Sequence, residues 1–205
     1  MRITSQPLCS LMNYMIRILS YVVLITITVI SSACAEDNKL LSKIINDNLD
    51  NKSTSEQRGQ LHKIIRWPAS CNETFTFPKA GFNFFKQSDT KLVLQVVCTY
   101  GAYQGMSLFY KLNLSSGTVH SHNLKLPKTY SDHTNESEIW GNVLTDSKVT
   151  AFRILNLYSG FGNCGRLTTY DLSNKQPAIT QLKQQEDCDK TPVERDPEKW
   201  PVIRH

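Results

Sequence analysis

The stretch KLVLQVVCTYGAYQGMSLFYKLNLSSGTVHSHNL, residues 91–124, decides the fold. Residues 91–98 are dense in β-branched and aliphatic side chains and are short enough to be one strand. Residues 106–112 and 118–124 flank the turn-forming triplet Ser115-Ser116-Gly117, so together they read as a hairpin. Further strand-like runs follow at 138–145, 149–157, 167–172 and 178–185, with Ser173-Asn-Lys-Gln-Pro177 as the turn between the last two. Hairpins joined by short turns imply an antiparallel sheet rather than parallel βαβ units. Residues 127–137 and 189–199 are polar, proline-containing loops, and no internal repeat is visible.

On the N-terminal side the pattern changes. Leu40, Leu41, Ile44, Ile45 and Leu49 recur at helical spacing from Glu36 onward. The polar stretch 50–56 breaks that period. A second short helix is expected from Gln57 to Ile65, with Leu61, Ile64 and Ile65 on one face and Pro68 ending it. The expected class is therefore α+β, with N-terminal helices packed on an antiparallel β-sheet. The expected divisions are 1–35 as a signal peptide, 36–66 as a helical segment and 67–205 as a disulfide-stapled, mainly-β domain.

The first 35 residues carry the signal reading. Residues 1–17 hold Arg2 and Arg17 and no acid, and residues 18–30 form an apolar run. Ser31-Ser32-Ala33-Cys34-Ala35 then supplies small residues before Glu36 and Asp37 return the charge. That is the three-part layout of a secretory signal, with cleavage expected after Ala35. The apolar run is shorter than a spanning helix needs, so no stable membrane span is expected after processing. Lipid attachment at Cys34 is the competing route, but it wants an aliphatic residue where Ser31 stands. Met12 and Met15 are alternative starts. The expected location is the periplasm or the exterior.

Without those residues the chain keeps 21 basic and 18 acidic side chains. They are scattered rather than clustered into a stripe, so nucleic acid is not an expected partner. With 40% hydrophobic and 20% charged residues, the chain can bury a core and is not of the disordered class.

Four cysteines remain beyond the signal: Cys71, Cys98, Cys164 and Cys188. An even number in an exported domain reads as two disulfides. Of the three connectivities, locality favours Cys71–Cys98 and Cys164–Cys188, since each pair brackets one short segment. Zinc is disfavoured because none sits in a C-x2-C pair and no histidine lies near them in the chain.

Candidate sites are few. Gly160-Phe-Gly162-Asn-Cys-Gly165 spells G-x-G-x-x-G, but a dinucleotide site needs a helix after it, and residues 166–171 read as a strand. The motif reads instead as a glycine turn beside a disulfide. His120 and His122 share a strand face, which is only the beginning of a metal site; His62, His133 and His205 stand apart. Glu136, Glu138, Glu186 and Asp187 lie in polar segments where acids are solvated, and no serine has a G-x-S-x-G setting. No catalytic residue, metal or cofactor is expected. The sequons at Asn51, Asn72, Asn113 and Asn135 matter only in a eukaryotic secretory route. The aromatic residues Tyr100, Tyr103, Tyr110, Trp140, Tyr158 and Phe161 gather near the glycine-rich segments.

Two of these segments have a familiar look. Cys98-Thr-Tyr-Gly-Ala-Tyr-Gln104 resembles the C-x-x-GAYQ strand end of a family of bacterial exported proteins, domain-of-unknown-function family 1176. Gly160–Gly165 resembles that family's G-x-G-D-C-G segment, with Asn163 in place of the aspartate. Two later strands, Cys188 and Trp200-Pro201 continue the likeness, which spans roughly residues 67–203. The resemblance implies a periplasmic or secreted bacterial protein and implies no activity.

The function expected is that of a non-enzymatic binding or interaction module for a protein or small-molecule ligand. An inhibitor or immunity-type protein against a toxin or cell-wall hydrolase is one alternative, and a hydrolase is another. The binding residues expected are Tyr100, Tyr103, Gln104, Phe161, Asn163 and Arg166, on two turns that the disulfides hold rigid.

Overall fold

The computed structural model describes residues 24–49, 54–73, 81–115, 118–128, 135–144, 152–174, 176–189 and 194–203. Residues 1–23 of the expected signal, the tip of the 115–117 turn, part of the 149–157 run, the sequon at Asn51, and His133 and His205 lie outside them.

Helix α1 spans Leu24–Leu49 and passes unbroken through the expected cleavage point, starting twelve residues before Glu36. Helix α2 spans Ser55–Ile65 and has a capping box: Thr54 Oγ1 accepts from Gln57 N, and Gln57 Oε1 accepts from Thr54 N at 2.7 Å. It ends at Arg66, a left-handed residue at φ 59°, two positions before Pro68. The short helix α3, Ser70–Glu73, was not expected from the sequence. No helix among the described residues is long and apolar enough to cross a membrane.

Among the described residues eleven strands follow: β1 Phe82–Lys86, β2 Lys91–Tyr100, β3 Gly105–Ser115, β4 Thr118–Asn123, β5 Leu126–Pro127, β6 Asn135–Glu136, β7 Glu138–Trp140, β8 Asn142–Leu144, β9 Phe152–Leu157, β10 Gly165–Asp171 and β11 Ala178–Gln185. They form two main antiparallel sheets. The first runs β1-β2-β3-β4, with β7 beside the start of β3; the second runs β11-β10-β9-β8. The run 138–145 is therefore two strands. At Gly141 the chain leaves the first sheet and enters the second. Gly141 sits at φ 142°, and a Cβ there would stand 2.8 Å from Leu155 O, so the step between sheets requires glycine.

The layers follow from side-chain alternation. On β2, Leu92, Leu94, Val96 and Cys98 face the helices, where Leu41, Ile44, Leu61, Ile65 and Trp67 cover them. Val93 faces the other way, clustering with Phe109 of its own sheet and with Phe152, Ile154 and Tyr170 of the facing sheet. Phe152 meets Phe85 and Phe109 edge-on, at ring-centre separations of 5.9 and 5.4 Å. Strand β2 is thus buried on both faces from Leu92 to Cys98, which explains why its sequence is apolar at every position but Gln95 rather than alternating. Beyond the second sheet, Trp200 of the C-terminal segment packs on Leu155 and Leu167.

Both disulfides form with the pairing that locality favoured: Cys71–Cys98, with Cα atoms 4.3 Å apart, and Cys164–Cys188, with Cα atoms 4.9 Å apart. The first ties α3 to β2. Arg58 of α2, only 5% exposed, converges on the same place. Its guanidinium donates to Gly81 O at 2.7 Å, Cys71 O at 3.1 Å and Asn72 Oδ1 at 3.2 Å, and it lies over the Trp67 ring.

Among the described residues β1 is an edge strand, and the first sheet manages that edge with one side chain. Asn48 at the end of α1 donates from Nδ2 to Phe82 O at 3.2 Å and accepts at Oδ1 from Phe84 N at 3.1 Å. One carboxamide therefore stands in for the peptide group of a missing neighbour strand. Replacing Asn48 by alanine should cost about 1 kcal/mol for the two lost bonds and raise self-association. Denaturant midpoints and sedimentation velocity would test this; an unchanged midpoint with no new dimer means the edge needs no cover.

Candidate functional site

Two turns meet at one end of the sandwich. The first joins β2 to β3 and is closed by Gly101 N donating to Gln104 O at 2.8 Å. The second joins β9 to β10 and holds the glycine-rich segment. There Tyr158 N donates to Cys164 O at 3.2 Å, and Ser159 Oγ donates to Asn163 Oδ1 at 2.7 Å. Asn163 Nδ2 donates in turn to Cys188 O, beside the Cys164–Cys188 bridge.

The turns also touch each other. Gln104 Oε1 accepts from Leu157 N at 2.8 Å. The Tyr103 ring lies against Gly160, 3.4 Å from where a Cβ would be, and the Trp140 ring lies against Gly101. The juxtaposition expected of segments 100–105 and 158–166 is therefore present, and β7 adds a third element.

The six expected binding residues do not share one role. Tyr100, Tyr103 and Phe161 are exposed at 43%, 42% and 86%, and Phe161 stands at the tip of its turn. Gln104 and Asn163 are partly buried and engaged within the loops, so they shape the surface rather than face a partner. Arg166 points to the inner face of the second sheet. Its Nε donates to Gln184 Oε1 at 3.2 Å, and it lines a cleft of about 340 Å³ with Trp140, Tyr158 and Asn156. Trp140 and Tyr158, exposed at 45% and 42%, were not among the expected binding residues, yet they complete the aromatic surface. Trp140 comes from β7, whose position beside β3 depends on the step at Gly141.

The glycine motif is a hairpin turn. Strand β10 starts at Gly165, so no helix terminus faces the loop to hold a phosphate. His120 and His122 are both exposed on β4, and Lys111 lies directly opposite His122, where its positive charge opposes a cation. Among the described residues no three histidine, cysteine or acidic side chains are placed to hold a metal ion together. Of the acids considered, Glu136 pairs with Lys128 at 2.5 Å and Glu186 accepts from Gln184 at 2.6 Å.

Burial pushes the phenols of Tyr110 and Tyr170 up to about 12. Below pH 10 both states keep these protons. Above it the unfolded chain ionises first, so stability is lost as pH rises through 12, by about 2 kcal/mol for each phenol. Burial also lowers the pKa of Arg58, which acts in the opposite sense and is common to both proteins compared. The Tyr110→Phe, Tyr170→Phe double variant should therefore lose less stability between pH 9 and 12 than the parent. Urea midpoints at each pH measure this, and parallel curves would refute it.

Comparison with family models, with curated proteins and with solved structures finds no match for this chain.

Proposed function

We propose that residues 1–35 export the chain from the cytosol, and that it acts outside as a non-enzymatic binding module for a partner protein. The observation that carries this reading is the exposed aromatic surface. Of the six large apolar side chains exposed among the described residues, five gather on the two adjoining turns and β7: Tyr100, Tyr103, Trp140, Tyr158 and Phe161. A cluster of this kind at one end of a domain marks an interaction site, and tyrosine and tryptophan supply large contact area with few rotors to freeze. The disulfide at Cys164 and the Gln104–Leu157 bond hold the surface in place.

Export agrees with the two disulfides, which persist in oxidising compartments. Leu41, Ile44 and Ile45, which α1 contributes to the helix–sheet core, follow Ala35 and would be kept after cleavage there. The two segments that resemble family 1176 are the two turns that build the surface, and membership of that family belongs to this proposal.

The test joins intact-mass analysis of the exported protein with capture. The mass should place the N-terminus at Glu36. The parent should capture a protein from periplasmic extract that, once purified, binds it at least tenfold more tightly than it binds the Tyr103→Ala, Phe161→Ala variant, whose melting temperature stays within about 2 °C. An intact residue 1, equal binding by the variant, or a large drop in its melting temperature each count against the reading.

A further inference from the structure

A second concavity lies away from the aromatic loop tip, on the inner face of the first sheet where β1, β2 and β3 extend past the cover of the second. It is a cleft of about 540 Å³, within the size range of small-molecule sites. Asn83 and Gln95 form its floor, Asn142 of β8 stands on one wall, and the rings of Phe85 and Tyr100 bound it.

The chemistry of this lining is selective. Among the described residues no charged side chain lines the cleft. An ionised ligand would therefore leave water without a counter-charge to meet it. Carboxamides are the side chains that donate and accept together, as sugar hydroxyls also do. The amides are held in fixed positions. Gln95, 7% exposed, accepts from Asn83 Nδ2 at 3.0 Å and donates to Ser107 Oγ at 3.0 Å. Ser107, fully buried at the base of the cleft, is a positioning residue that holds the Gln95 amide. Such a chain of satisfied amides keeps its remaining donors and acceptors aimed outward.

We propose that this cleft binds a neutral saccharide, its hydroxyls on the Asn83, Gln95 and Asn142 amides and a pyranose face against Tyr100 or Phe85. A peptide that added as a strand would need the outward groups of β1, and Asn48 already occupies those of Phe82 and Phe84. Tyr100 borders both the cleft and the aromatic surface, and Phe161, which lines no part of the cleft, separates the two readings.

Side-chain amide NMR titrations of the full disulfide-bonded protein test it. The probes are maltotriose, cellotriose and N-acetylated chitotriose, with trigalacturonate as the charged control and end-blocked trialanine as the peptide control. At least one neutral trisaccharide should shift the Gln95, Asn83 and Asn142 side-chain signals at concentrations up to about 10 mM. Asn83→Ala and Asn142→Ala, both at exposed positions, should weaken it roughly three- to tenfold each, whereas Phe161→Ala should not. Four results overturn the proposal: no shift with any neutral trisaccharide, equal binding by both asparagine variants, binding of trigalacturonate at least as tight, or binding of trialanine in their place. A failed capture at the aromatic surface leaves these outcomes unaffected.

Discussion

Gly165→Ala should be among the most damaging single substitutions in the protein, lowering stability by 3 kcal/mol or more (about 10 °C in melting temperature). Gly165 opens β10 at φ 154°, where a side chain is strained before any contact is considered. A Cβ there would also stand 2.3 Å from Asn156 O and 3.0 Å from the Leu157 Cα. Both are backbone atoms of β9, so relief requires moving the paired strand, and with it Gln104, which accepts from Leu157 N. Gly162 is the internal control. It has φ 71° but nothing within 4 Å of its Cβ position, so Gly162→Ala should cost only about 1 kcal/mol. Thermal unfolding of the two variants decides the matter. Equal losses would mean that the approach of β9 to Gly165 is not tight.

The second large effect belongs to the Cys71–Cys98 bridge. Its ends are 27 residues apart, and in the chain-entropy model a loop of that size contributes about 3.5 kcal/mol. The Cys71→Ala, Cys98→Ala variant should therefore melt roughly 10 °C lower than the parent. The consequence is also local. Arg58 donates to Cys71 O and to Asn72 Oδ1, and Trp67 Nε1 donates to Asn72 Oδ1 at 3.0 Å, so these contacts all hang on the bridged turn of α3. Slackening that turn leaves a buried guanidinium with fewer acceptors, which is costlier than losing a surface contact. Hydrogen exchange of the variant should quicken in α2 before the second sheet. An unchanged melting temperature would show that apolar packing alone holds the helices to β2.

Much of the fold was legible because it is written in local chemistry. The run at 92–98, apolar except for Gln95, marks a strand covered on both faces, and the structure places helices on one side and a second sheet on the other. The hairpin strands and the helical face of Leu41, Ile44 and Ile45 follow from period. The disulfide pairing follows from separation along the chain, because each bridge closes a short segment. Strand β1 escaped this reading: Phe82–Lys86 is five residues long, and it becomes a strand by pairing with β2.

The surface divides in the same way. Aromatic residues and glycines at 100–105 and 158–166 were visible as neighbours in sequence of probable bridges, but not which of their side chains face outward. Asn163 and Gln104 look as accessible as Tyr103 in a sequence; tertiary contacts turn both into loop ties. The same holds at 138–145, where alternation alone suggests one strand. The local sequence determines that these residues are extended, since side-chain size and branching act on each residue's own backbone. Which sheet each half joins, and so whether Trp140 stands beside Tyr103 and Tyr158, is decided by packing. The crossing at Gly141 exists because Ile154 and Leu155 of a distant strand leave no room there for a side chain, and no neighbour in the chain carries that information.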